Sequence, residues 1–142
     1  MRHLLWIPLA LALIATALPA YRMQAGQESH GSGLHALMFG PVGLLSAGEW
    51  LRHPERCGYL AWLANPLALA AMICAIAGRW RTGLALALAA LALSPLAWLL
   101  RDLPVHEGGE RARIAGMGAG YWLWSLSLLL LTALIAWLRG GR

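Results

Sequence analysis

Uncharged apolar runs at 4–20, 59–77, 84–100 and 114–138 occupy more than half of the 142 residues. A helix rises ~1.5 Å per residue and the hydrocarbon layer is ~30 Å thick, so runs of about 17 to 25 residues reach from one side to the other. The pattern predicts four transmembrane helices. A fifth stretch, 34–51, is apolar but interrupted by Gly40-Pro41, Gly43 and Gly48, and it ends in Glu49-Trp50-Leu51-Arg52-His53. A short, broken segment of this kind is expected to lie at the interface or to re-enter the membrane without crossing. The fold class is therefore an all-α membrane protein, four transmembrane helices with a short re-entrant or interfacial helix between the first and second. The connections at 21–58, 78–83 and 101–113 are too small to bury cores of their own, so residues 1–142 form a single polytopic membrane domain.

Two proline pairs punctuate the spans. The ring of Pro66 in Asn65-Pro66 leaves a carbonyl about one turn back without its donor, and Ser94-Pro95 repeats the device in the third span, so both helices are expected to kink. Leu84-Ala85-Leu86-Ala87 has a strand-like alternation, but both residue types are apolar and the run is too long for a strand. The loop 101–113, with mixed charge and Gly108-Gly109, reads as a flexible connector.

Composition agrees with the pattern. Hydrophobic residues are 60% and charged residues 12% of the chain, against roughly 45–50% and ~25% in soluble domains. All 11 basic residues are Arg, and the net charge of +5 points to anionic headgroups of the lipid bilayer; no nucleic acid partner is expected. The start Met1-Arg2-His3 followed by apolar residues has the form of a secretory signal, which Pro19 makes poor at its cleavage site, so it is read as an uncleaved anchor. Arg2, Arg79, Arg81, Arg139 and Arg142 are dense on short segments of one side, and all six acids fall on the other. This favours N-in/C-in in a bacterial inner (cytoplasmic) membrane. Tyr21, Trp50, Tyr59, Trp62, Trp98, Tyr121, Trp122 and Trp124 then gather at the outer interface, with Trp6, Trp80 and Trp137 at the inner.

Candidate chemistry is sparse. No ionisable side chain falls in the middle of a span, which argues against ion-coupled transport. Asn65 is the most polar point in the bilayer; it supplies either an amide to a ligand or a hydrogen bond to a neighbouring helix, and the second use is the commoner. Ser94, Ser125, Ser127 and Thr132 can bond back to their own helices. Gly116-x-x-x-Gly120, with Gly118 between them and Ala115-x-x-x-Ala119 alongside, offers a small-residue face for an approaching helix, either within the bundle or from a partner, with Trp122 and Trp124 behind it as lipid anchors.

His30, His35, His53 and His106 share the outer side with Glu49, Glu107, Cys57 and Met38, and of these His35, His53, Cys57 and His106 are the candidate ligands, but their spacing is irregular. They are weak candidates for a metal, and no metal or other cofactor is expected. Cys57 and Cys74 lie ~25 Å apart along one helix and cannot pair within it.

No catalytic motif is present, so the protein is expected not to be an enzyme. The expected function is that of a small non-catalytic integral membrane subunit, accessory, assembly or immunity-type, acting by helix packing with another membrane protein or in a homo-oligomer. The alternative is a small oligomeric channel or carrier with a pathway past Asn65 and Ser94.

Overall fold

The computed structural model describes residues 2–23, 31–45, 54–104 and 111–140. It is mostly helical. A 3₁₀ turn, Arg2–Leu5, leads into α1, Trp6–Ala17. Helix α2 is Gly33–Leu45. A 3₁₀ helix, Pro54–Leu63, runs on into α3, Ala64–Ile76. Helix α4 is Trp80–Leu93, continued by a 3₁₀ stretch Ser94–Leu99, and α5 is Ala119–Gly140. Strands β1 (Pro19–Met23), β2 (Gly31–Ser32), β3 (Asp102–Pro104) and β4 (Arg111–Met117) form one antiparallel sheet in the order β2-β1-β4-β3.

Among the described residues three helical segments are long and apolar enough to cross a membrane: Cys57–Ile76, Trp80–Leu99 and Ala119–Gly140. The first expected span falls short. Its helix stops at Ala17 because Leu18 precedes Pro19, whose ring drives the preceding residue out of the helical region; Leu18 sits at φ −95°, ψ 156°. His3–Ala17 is 15 residues, about 22 Å.

The fourth expected span is corrected at its start. Residues 114–117 are strand, with Tyr21 paired to Met117, Arg22 to Gly116 and Met23 to Ile114, and α5 begins only at Ala119. The connector 101–113 is corrected too. Asp102 pairs with Arg113 and Pro104 with Arg111, so its described residues form two strands of a hairpin. Arg113 and Ala115 of β4 are exposed while Ile114 and Met117 turn inward; the register shift opposite Arg22 and Met23 interrupts the strict alternation between them, and the inward side chains give the sheet an apolar face. With Tyr21 and Met23 it caps one end of the bundle over Tyr59, Leu100 and Tyr121.

The proline pairs mark changes of helix type. Pro66 follows the switch from 3₁₀ to α, and Pro95 sits just inside the switch from α to 3₁₀. Pro95 cannot donate to the Leu91 carbonyl four residues back, and the Ser94 hydroxyl donates to it instead, at 2.9 Å. Helix α2 uses the same economy. Pro41 releases the Leu37 carbonyl, which accepts the Trp62 indole N–H at 2.9 Å. Its N-terminus is capped by Ser32, whose hydroxyl accepts the His35 backbone N–H. Gly40 and Gly43, expected to break this segment, lie inside a continuous helix, flat against the rings of Trp62 and Tyr59 where a Cβ would collide.

Packing between α3 and α4 is made by small residues. Ala64, Ala71, Ala75, Ala87 and Ala90 are fully buried with Gly83 between them, and a Cβ on Gly83 would lie 3.0 Å from the Ala71 carbonyl. Lipid offers helices no hydrophobic reason to associate, so close backbone approach supplies the attraction. The reversal joining them is a Schellman turn: Gly78 takes φ 80°, the Arg79 N–H donates to the Cys74 carbonyl at 2.8 Å and the Gly78 N–H to that of Ala75 at 3.1 Å.

Candidate functional site

Helix α1 packs along α5, α5 on α4, and α4 on α3, closing three sides of the bundle. Between α1 and α3 there is no comparable packing, and α2 lies across that gap, touching α1 at one end and the 3₁₀ helix before α3 at the other. The result is a cleft of about 300 Å³. Its walls are Leu9, Ala12, Leu13 and Thr16 of α1, Asn65, Ala68, Leu69 and Met72 of α3, and Trp124, Ser127, Leu128 and Leu131 of α5. Leu13 and Leu69, at its two edges, are 61% and 51% exposed, so the cleft opens sideways.

Polar groups collect at the sheet end. Tyr21 comes from β1, Tyr59 from the 3₁₀ helix and Tyr121 from the first turn of α5, and all three are buried. Tyr121 donates its hydroxyl to the Ser94 carbonyl at 3.3 Å and accepts the Trp98 indole N–H at 3.1 Å. His35 lines the same end, stacked on Phe39 with ring centres 4.3 Å apart.

Burial, reinforced by the neighbouring Tyr59 and Tyr121, pushes the Tyr21 phenol up from 10.0 to about 12. The folded protein thus holds this proton more tightly than the unfolded chain does. Stability is fully retained below pH 10 and falls as pH rises towards 12, by about 2–3 kcal/mol at ~1.4 kcal/mol per pH unit. Melting temperatures in detergent at pH 9 and 11.5 are expected to show this drop in the native protein and a much smaller one in Tyr21→Phe. An equal drop in both would assign the effect to other groups.

Of the residues singled out from the sequence, Asn65, Trp124, Gly120 and His35 line the cleft. The Asn65 Oδ1 accepts the Trp124 indole N–H at 2.8 Å, joining α3 to α5 across its floor. Ser94 is buried on the far side, and Trp122 is 57% exposed within an edge-to-face group with Trp98 and Tyr121. Gly116 and Gly120 do not share a helix face, since Gly116 is in β4 with nothing near its missing Cβ. Gly118 and Gly120 instead let α5 close onto the backbone of Pro19, Leu18 and Ala15.

Cys57 and Cys74 are free, half-buried thiols. His53 and His106 lie outside the described residues. Among the described residues no three His, Cys, Asp or Glu side chains come together around a metal-sized space.

The sequence alone marks Tyr21, Tyr59, Tyr121 and Trp62 only as interfacial aromatics. They come from separate segments, and only the pairing of β1 with β4 brings Tyr21 to Tyr121. No protein-family model, curated protein or solved structure matches this chain.

Proposed function

We propose that this chain is a small non-catalytic integral membrane protein of the accessory type, which acts by holding another membrane component in its open side. The cleft between α1 and α3 carries the reading. Its walls are apolar, it opens sideways between Leu13 and Leu69, and α1 and α3 do not pack on each other across it. A membrane component seated there makes the contacts that α1 and α3 do not make with each other.

The same reading makes α1, with its preceding 3₁₀ turn, the fourth crossing in a locally thinned or tilted setting. It makes α2 a re-entrant helix with both ends at the sheet side, and it puts that side outward in a bacterial inner membrane, N-in/C-in.

The channel or carrier alternative routes solutes past Asn65 and Ser94. Two hydrogen bonds weigh against it: the Asn65 amide oxygen is engaged by Trp124, and the Ser94 hydroxyl by its own helix. Substituting Asn65→Leu separates the readings. It strands the Trp124 indole N–H, and the expected cost is about 1–3 kcal/mol of stability, read as a lower melting temperature in detergent, with no change in solute flux across proteoliposomes relative to the native protein. A native flux that vanishes in a folded Asn65→Leu protein would establish the pathway instead.

A further inference from the structure

We infer that the end of the bundle away from the sheet is a binding surface for anionic phospholipid headgroups, with Arg79, Arg81 and Arg139 as its cations. Net charge alone does not place such a surface at either end, and the inference is independent of what the cleft holds.

The fold gathers arginines that the sequence keeps apart. Leu5, Trp80 and Ile135 are buried in one cluster, with Leu138 packed against it. Arg79 and Arg81 flank Trp80, and Arg139 follows Leu138. The α3–α4 reversal and the last turn of α5 therefore meet around one apolar plug, and all three arginines are exposed beside it. Acids are remote from them in the chain, which has none before Glu28, between Glu55 and Asp102, or after Glu110. Among the described residues, Asp102 lies at the opposite end, in β3.

Depth and charge select the ligand. Trp6, next to Leu5, and Trp137 are 57% and 56% exposed at this same end, and outward tryptophans of membrane proteins sit at headgroup level. Arg139 is two residues beyond Trp137, ~3 Å along the helix, which brings it to the depth of lipid phosphates. A guanidinium presents a planar fork to two phosphate oxygens. A zwitterionic lipid brings an ammonium that offsets its phosphate, whereas an anionic headgroup such as phosphatidylglycerol keeps its net negative charge for the arginines. The sheet end differs, although Arg22, Arg101 and Arg113 are exposed there. Asp102 lies among them, opposite Arg113 in the β3–β4 ladder, and Glu107 and Glu110 fall between the two strands in sequence.

The test uses the full chain reconstituted in vesicles of equal parts phosphatidylcholine and phosphatidylglycerol, then extracted in mild detergent for native mass spectrometry of the lipids it retains. Retained phosphatidylglycerol is expected to exceed phosphatidylcholine about five-fold, the scale of one surface basic residue's attraction to anionic lipid. Arg79→Gln, Arg81→Gln and Arg139→Gln together should bring the two lipids to near equality. Arg22→Gln, Arg101→Gln and Arg113→Gln together neutralise as many arginines at the sheet end and should leave the excess in place. If the first triple variant does not fold, its three substitutions made singly should each lower the excess. Equal retention of the two lipids by the native protein, or the same response to both sets of substitutions, overturns the inference. Equal retention together with an acidic protein that co-purifies with the native chain and is lost from the first triple variant overturns it too, and makes the surface a protein contact.

Discussion

Gly118→Val is expected to prevent stable assembly of the bundle. A Cβ at Gly118 would be driven into the Pro19 carbonyl and meet the backbone of Ala20 at 3.2 Å. The obstacle is main chain, which cannot swing aside as a side-chain tip can. The Gly118 N–H also donates to the Ala20 carbonyl at 2.8 Å, and pushing α5 away breaks that bond where β1, β4 and α5 converge. Overpacking typically costs 1–3 kcal/mol and a lost buried hydrogen bond ~1–3 more. The expected total, about 3–5 kcal/mol, is enough to leave little folded protein. Monodisperse yield by size exclusion in mild detergent reads it, with Gly116→Val as the control. Nothing lies within 4 Å of a Cβ at Gly116, so that variant should remain near native.

The second large effect is expected at the α3–α4 seam. Gly83→Leu must place four carbons where even the first lies 3.0 Å from the Ala71 carbonyl and 3.3 Å from the Ala75 nitrogen. The two helices can accommodate it only by moving apart. Membrane helices associate largely through such close packing, so separation loses contacts along Ala71, Ala75, Ala87 and Ala90 together. The expected destabilisation is about 3 kcal/mol, at the upper end for overpacking. Ala85→Leu and Ala89→Leu, exposed on the same helix, should change the melting temperature little. If all three behave alike, the seam does not pack as described.

These two glycines show what the sequence disclosed and what it withheld. Hydropathy locates α3, α4 and α5 because lipid demands long uncharged helices, and length alone separates them from strands. The same averaging hid β4. Ile114, Ala115 and Met117 are apolar enough to extend the run of α5, and only pairing with β1, some ninety residues away, decides that they form a strand. Gly116-x-x-x-Gly120 straddles a strand and a helix, so close approach at the start of α5 falls to Gly118 and Gly120, while Ala71-x-x-x-Ala75 and Gly83-x-x-x-Ala87 form a second seam that sequence alone does not single out.

Pro41 and Pro95 each release a carbonyl, and a donor from Trp62 or Ser94 takes it. Asn65 was expected to choose between a ligand and a neighbouring helix, and its oxygen meets Trp124. The cleft itself leaves no local trace, because it is the side on which α1 and α3 fail to meet, and no stretch of chain records an absent contact.

Native mass spectrometry of the full chain extracted in mild detergent tests the central claim most directly, by comparing the mass retained by the native protein, Ala12→Phe and Ala89→Phe. An added mass retained by the native protein and Ala89→Phe but lost from folded Ala12→Phe is the result expected if the cleft between α1 and α3 is the binding site. Identical retained masses in all three proteins, or none in any, would contradict it.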